Sequence, residues 1–122
     1  MGYPMEAVFV FGSNLAGRHG AGAALHAAKA WGAQAGIGEG PTGNAYALPT
    51  KGHRLEVLEL KEVKAGYQRF VKYAESRKGK ELFLLTPFGT GLAGYPRGII
   101  RGMVEQVGIP ANVALTRTWL VK

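Results

Sequence analysis

The chain of 122 residues contains no cysteine, and its acidic residues include no aspartate: all eight are glutamate. Without cysteine there is neither a disulfide framework nor a thiolate metal site. Without aspartate, any mechanism built on an aspartate base or an aspartate-rich metal site is excluded. Long apolar runs are missing too. None approaches the roughly 18 residues of a membrane span, and the N-terminal residues lack the basic segment and long apolar stretch of a secretory signal. His19, His26 and His53 have neither Asp nor Cys near them, and their spacing matches no standard metal site. The expectation from these absences is a cytoplasmic protein with no membrane span, no metal and no resident cofactor.

Two things are abundant: glycine, with 19 residues, and positive charge, with 15 Lys and Arg against 8 Glu for a net +7. The charge favours an anionic partner such as a nucleotide, a nucleic acid or another polyphosphate. It also serves solubility, and composition alone leaves both readings open. At 47% apolar residues the chain should be globular. Its length suits one domain with a real core and is too short for two, so residues 1–122 are expected to form a single domain.

Hydrophobic periodicity gives a β-α-β-α-β-α-β order. Strand one is expected near Ala7–Phe11 and strand two near Asn44–Pro49, with strand three at Glu81–Pro87 and strand four near Val113–Val121. An alanine-rich helix is expected from Gly20 to Trp31, with Ala21, Ala24, Leu25 and Ala28 on its buried face. The clearest helix carries Leu60, Val63, Tyr67, Phe70 and Ala74 at steps of three and four, and Gly79 suits its end. A third, Arg97–Val107, is expected to bury Ile99, Ile100, Met103 and Val104. Residues Gly32 to Gly43 read as a mobile glycine-rich stretch. Alternation of this kind predicts a three-layer α/β/α sandwich around a mainly parallel sheet, with any ligand at the carboxyl ends of the strands.

Three loops leave those ends. The first, Gly12-Ser13-Asn14-Leu15-Ala16-Gly17-Arg18-His19-Gly20-Ala21-Gly22, leads into the first helix. The third, Phe88-Gly89-Thr90-Gly91-Leu92-Ala93-Gly94-Tyr95-Pro96, leads into the last one. Glycine lets backbone N–H groups come close to a ligand, and a helix N-terminus adds unpaired donors with partial positive charge. Such loops suit a diphosphate gripped from both sides. The second loop, Thr50-Lys51-Gly52-His53-Arg54, is basic. Gly89-x-Gly91-x-x-Gly94 has the letters of a dinucleotide fingerprint but lacks the acidic residue about 20 positions on, and the first loop lacks the Gly-Lys-Ser/Thr of a P-loop. Several residues have two open readings. Lys51 is a nucleophile or a plain electrostatic clamp. Asn14 bonds a ribose hydroxyl or caps a turn. Tyr95 stacks on a ribose or base, or packs in the core. His19 donates to an anion or sits exposed in its loop.

These three loops resemble those of the macrodomain superfamily, whose members bind ADP-ribose. Asn14, Gly17 and Gly20-Ala21-Gly22-Ala23-Ala24-Leu25-His26 stand where macrodomains carry a strand-ending Asn and a Gly-Val-x-Gly-Ala-Ile-His helix start. Gly89-Thr90-Gly91 with Tyr95-Pro96 resembles their second loop, and Leu48-Pro49-Thr50-Lys51-Gly52-His53 resembles the Pro-Thr-Lys-x-His segment of the DNA-directed antitoxin macrodomains and terminal ADP-ribose glycohydrolases. Short phage and bacterial macrodomain-like proteins share the three loops. The resemblance implies a macrodomain-like fold and a site for ADP-ribose or a related nucleotide, free or on ADP-ribosylated DNA or protein. It implies ligand contacts from Gly12, Ser13, Asn14, Gly17, His19, Gly20, Ala21, Gly22, Thr50, Lys51 and Gly89 to Tyr95, with Lys51 and Asn14 catalytic. The pattern departs where the family uses aspartate: Gly22 and Ala93 stand near two such positions, and no Asp is present for the adenine amino group. Three functions therefore remain open: an ADP-ribosyl glycohydrolase, a non-catalytic binder of an NAD-derived nucleotide, and a basic nucleic-acid-binding protein.

Overall fold

The computed structural model describes residues 5–120. The segment Val8-Phe9-Val10-Phe11 lies at the centre of β1 (Glu6–Asn14), which pairs in parallel with β3 (Ala45–Lys51) on one edge and β4 (Glu81–Leu85) on the other. Side chains alternate between the two faces of a strand, so Val8 and Val10 enter one apolar cluster while Phe9 and Phe11 enter another. Parallel strands covered on both faces read as continuous apolar runs, which is why this segment shows no polar alternation.

The two faces are built differently. On one, α1 (Gly22–Ala30) packs Ala24 and Ala27 against Phe11, Ala45 and Ala47. Alanine on both sides allows close approach of helix and sheet. On the other, α2 (Leu60–Ser76) and α3 (Arg97–Val107) bring Val63, Tyr67, Phe70, Ile100 and Val104 onto Tyr46, Leu48, Phe83 and Leu85. The result is a mixed α/β sandwich around a five-stranded sheet of order β2-β3-β1-β4-β5. The last pairing, β4 with β5 (Val113–Leu115), is also parallel. No helix among the described residues is long and apolar enough to cross a membrane.

Several expectations are corrected. The glycine-rich stretch contains a short strand, β2 (Gly40–Thr42), which returns antiparallel onto β3. Gly43 has φ 58° there, and a Cβ on it would overlap the Gly32 backbone. Strand four ends at Leu115, and a 3-10 turn (Arg117–Leu120) follows, in which buried Trp119 donates its indole N–H to the Leu85 carbonyl at 2.7 Å. The rest of the expected strand, Val121, lies outside the described residues. α1 starts at Gly22 rather than Gly20, and Ala27 with Ala24 forms its buried face while Ala21 is exposed. Leu60 and Ile99 are exposed on their helices. Strand three stops at Leu85, two residues short of Pro87. β1 and β3 run further than expected, so Gly12, Ser13, Asn14, Thr50 and Lys51 belong to strand ends rather than loops.

Tyr67 and Tyr46 join the α2 face to the sheet. The Tyr67 hydroxyl donates to the Gly108 carbonyl at 2.9 Å, and burial raises its pKa. Burial, with the nearby Glu39 carboxylate, pushes the Tyr46 phenol up to about 12 from 10.0. A raised phenol pKa in the folded state means that the unfolded chain loses its proton first. Stability is therefore full below pH 10 and falls as pH rises from about 10 to 12. Urea denaturation across that window is expected to show the decline, with Tyr46→Phe making it shallower and Tyr67, raised as well, keeping the remainder.

Candidate functional site

At the carboxyl edge of the sheet the connections from β1 and β4 leave in opposite directions. The β1 loop climbs to α1 on one face, and the β4 loop turns to α3 on the other. Adjacent strands whose connections diverge leave a crevice between them, the usual ligand position in open α/β sheets. The end of β1 meets the β4 loop at the crevice floor, where a Cβ on Gly12 would lie 3.2 Å from the Gly89 nitrogen. Above it opens a cleft of about 760 Å³.

The β1 side of the cleft carries Gly12, Ser13, Asn14, Gly20, Ala21 and Gly22, with Ala23 and Ala24 from the first turn of α1. That turn has neither a side-chain cap nor an acidic residue, and the first backbone N–H to find a carbonyl is that of Leu25. The β4 side carries Gly89, Thr90, Gly91, Leu92 and Ala93. Gly89 has φ 77° and Gly94 φ 81°, and the loop is closed by Tyr95 N–H to Gly89 O at 2.9 Å and Gly94 N–H to Gly91 O at 3.0 Å. The N–H groups of Gly91, Leu92 and Ala93 have no protein acceptor among the described residues. Thr50 and Lys51 line the β3 end of the cleft.

Ordering of the strand ends is done by side-chain bonds. The Thr50 hydroxyl donates to the Ser13 carbonyl at 3.3 Å, and the Ser13 hydroxyl donates to the Gly38 carbonyl. Leu15 N–H donates to the Lys51 carbonyl at 2.9 Å, which fixes Lys51 beside the end of β1. Asn14 donates from Nδ2 to the Arg18 carbonyl at 2.8 Å and accepts the Arg18 N–H at Oδ1 at 3.0 Å. Its amide therefore brackets the turn that follows β1 while the residue still lines the cleft. Arg18 and Lys51 are the Lys and Arg side chains of the lining, and among the described residues no carboxylate lines it.

Four expected contacts stand apart from the cleft lining: Gly17, His19, Gly94 and Tyr95. Gly17 has φ 71° and meets the Gly36 backbone. The His19 ring packs edge-on to Phe11 at 5.3 Å, with Nε2 donating to the Gln34 carbonyl at 3.1 Å. The Tyr95 hydroxyl donates to the Leu58 carbonyl, and its ring lies against the core. His26, weighed from sequence only as a metal ligand, is a cleft residue whose ring meets Phe9 at 5.2 Å. Sequence reasoning missed Thr86, Thr116, Thr118, Leu55 and Phe9. Thr86 and Thr116 follow β4 and β5 directly, and the rule that every parallel strand ends at the same edge was the signal for them; Thr118 lies in the 3-10 turn. No group of three or more His, Cys, Asp or Glu side chains among the described residues is placed to hold a metal ion.

No protein-family model and no curated protein matches the chain. One solved structure, described as that of a protein of unknown function from Bacteroides thetaiotaomicron, matches with a TM-score of 0.66 at 14% identity, covering 93% of this chain and 87% of that one. The likeness shows a shared fold.

The glycines divide by what holds them. Gly17→Ala forces a Cβ into the Gly36 backbone at a left-handed φ and is expected to cost at least about 2 kcal/mol. Gly20 has open space and no positive φ, so Gly20→Ala is expected to stay within about 1 kcal/mol of wild type. Thermal melts of the two variants measure the contrast.

Proposed function

We propose that the chain binds ADP-ribose, or the ADP-ribosyl group of a modified nucleic acid or protein, with the diphosphate lying across the crevice between β1 and β4. The observation that carries this reading is the convergence of two sets of unpaired backbone N–H groups on one cleft, from the start of α1 and from Gly91 to Ala93. Oriented N–H groups of this kind recognise phosphate oxygens without a metal. Arg18 and Lys51 add the charge that a dianion needs. The cleft lies within the roughly 300–1,000 Å³ of small-molecule sites. It also runs past the ends of β3, β1, β4 and β5, which suits a ligand with a ribose on each side of a diphosphate. The macrodomain resemblance of the three loops points to the same ligand.

Binding without turnover is favoured by two features of the cleft. Among the described residues no carboxylate lines it, and Asn14 engages both amide atoms with the Arg18 backbone. A hydrolytic role would rest on Lys51 acting on the anomeric carbon. Lys51→Ala separates the roles: it is expected still to bind free ADP-ribose, more weakly for the one charge lost, and, if the protein turns over, to lose release of ADP-ribose from ADP-ribosylated DNA or protein altogether. Absence of release by wild type assigns the cleft to binding alone.

The ligand itself is tested by calorimetry. ADP-ribose is expected to bind at least about tenfold, or 1.4 kcal/mol, more tightly than AMP, because the second phosphate meets the second loop. Gly91 needs neither a positive φ nor space against the fold. Gly91→Glu should therefore leave the melting temperature unchanged while abolishing binding. Equal affinity for AMP and ADP-ribose, or an unaffected variant, overturns the phosphate grip. A steep fall of nucleic-acid affinity with salt, without nucleotide binding, would favour a backbone-phosphate binder instead.

A further inference from the structure

The turn after Lys51 holds the backbone exception of the described residues. Lys51 and Val57 form an antiparallel bridge, Gly52 N–H donates to the Glu56 carbonyl at 2.8 Å, and Leu55 N–H donates to the Gly52 carbonyl at 3.0 Å. Turns closed in this way put their last residue in the left-handed region, a position that glycine ordinarily fills. Here it is Leu55, with φ 63°. Every other described residue with positive φ is glycine. A chain with glycine at each of the other left-handed positions keeps a leucine at this one, although a Cβ is penalised there too.

The fold gives no reason for that leucine. Its side chain is 38% exposed and belongs to neither apolar cluster. It does line the cleft, at the end where Lys51 lies. From the opposite loop Leu92, 76% exposed, lines the same cleft. Backbone strain at a ligand site persists where a side chain is needed in one particular place.

We propose that Leu55 is a specificity-determining ligand contact that covers a neutral, flat ring carried by the ligand beside Lys51. This inference rests on the ADP-ribose reading and narrows it: the preferred ligand is an ADP-ribosyl group with an uncharged ring on its distal ribose. With the diphosphate over the β1–β4 crevice, one ribose lies toward the β3 end of the cleft, where Lys51 and Leu55 stand, and the proposed role of Lys51 at the anomeric carbon makes it the distal one. A leucine exposed to water gains when an apolar surface covers it. A cationic ring at the same place would share the cleft with Lys51 and Arg18, with no carboxylate among the described lining residues to offset them.

NADH, NAD+ and ADP-ribose share the diphosphate and both riboses, and differ at the distal anomeric carbon: a neutral ring, a cationic ring and a hydroxyl. Calorimetry of wild type, Leu55→Gly and Leu55→Asn with all three, together with thermal melts, tests the proposal. Wild type is expected to bind NADH about threefold or more tightly than either other ligand, the scale of partial burial of one leucine. Both variants should lose that margin, keep ADP-ribose affinity within about twofold, and melt no lower than wild type, since Gly and Asn tolerate the left-handed region. The proposal is overturned if wild type shows no preference for NADH, if the variants keep it, or if both variants melt lower, which would make the leucine a requirement of the fold. Failure of wild type to bind ADP-ribose at all would instead overturn the reading beneath it, and this inference with it.

Discussion

β1 is hydrogen-bonded on both edges and covered on both faces, and the other parts of the molecule take their positions from it. Its pairing with β3 and with β4 sets both neighbours parallel. Its alternation assigns Phe9 and Phe11 to α1 and Val8 and Val10 to α2 and α3. The divergence of its outgoing loop from that of β4 then opens the crevice. A polar residue at Val10 or Phe11, both fully buried, would disturb core and cleft together, because the same strand makes both.

Above that strand the glycines do separate physical work. Gly12 is held by the backbone of Phe88 and Gly89 packed against the end of β1, and Gly89 by its left-handed φ. Gly17, Gly38 and Gly43 are held by backbones that leave no room for a Cβ: Gly36 for Gly17, Asn14 and Leu15 for Gly38, Gly32 for Gly43. Gly20 and Gly91 satisfy neither requirement, yet both face the cleft. Gly98 and Gly102 of α3 also have open space and no positive φ but lie outside the cleft, so it is the pairing of bare backbone with a place in the cleft that fits the proposed phosphate grip.

Much of this was legible from residue pattern. The apolar run at Val8–Phe11, the stepped residues of α2 and the two glycine loops gave the parallel sheet, the main helix and the position of the cleft. The rest depended on long-range partners. β2 is Gly-Pro-Thr, with no apolar pattern, and is a strand only because β3 offers it an edge. The early end of β5 follows from Trp119, whose indole bonds to Leu85 and turns the chain away from the sheet. Leu60 and Ile99 fit their helical periods, but Leu60 is the first residue of α2 and Ile99 is exposed beside the fully buried Ile100. Asn14 had two readings in sequence, and only the Arg18 backbone at bonding distance shows which partner its amide holds. The anomaly at Leu55 was invisible, because a left-handed φ at a leucine leaves no mark in residue identity.

The two borders of the sheet have a consequence for self-association. An open sheet invites a second chain to add a strand along its unpaired N–H and C=O groups. β2 is three residues long and centred on Pro41, which has no N–H to offer. β5 is equally short and gives way at once to the 3-10 turn. Neither border presents a ladder long enough to template another molecule. A chain rich in β-forming apolar segments thus keeps them in its interior strands, and concentrated solutions are protected from edge-to-edge polymerisation by the brevity of its outermost strands.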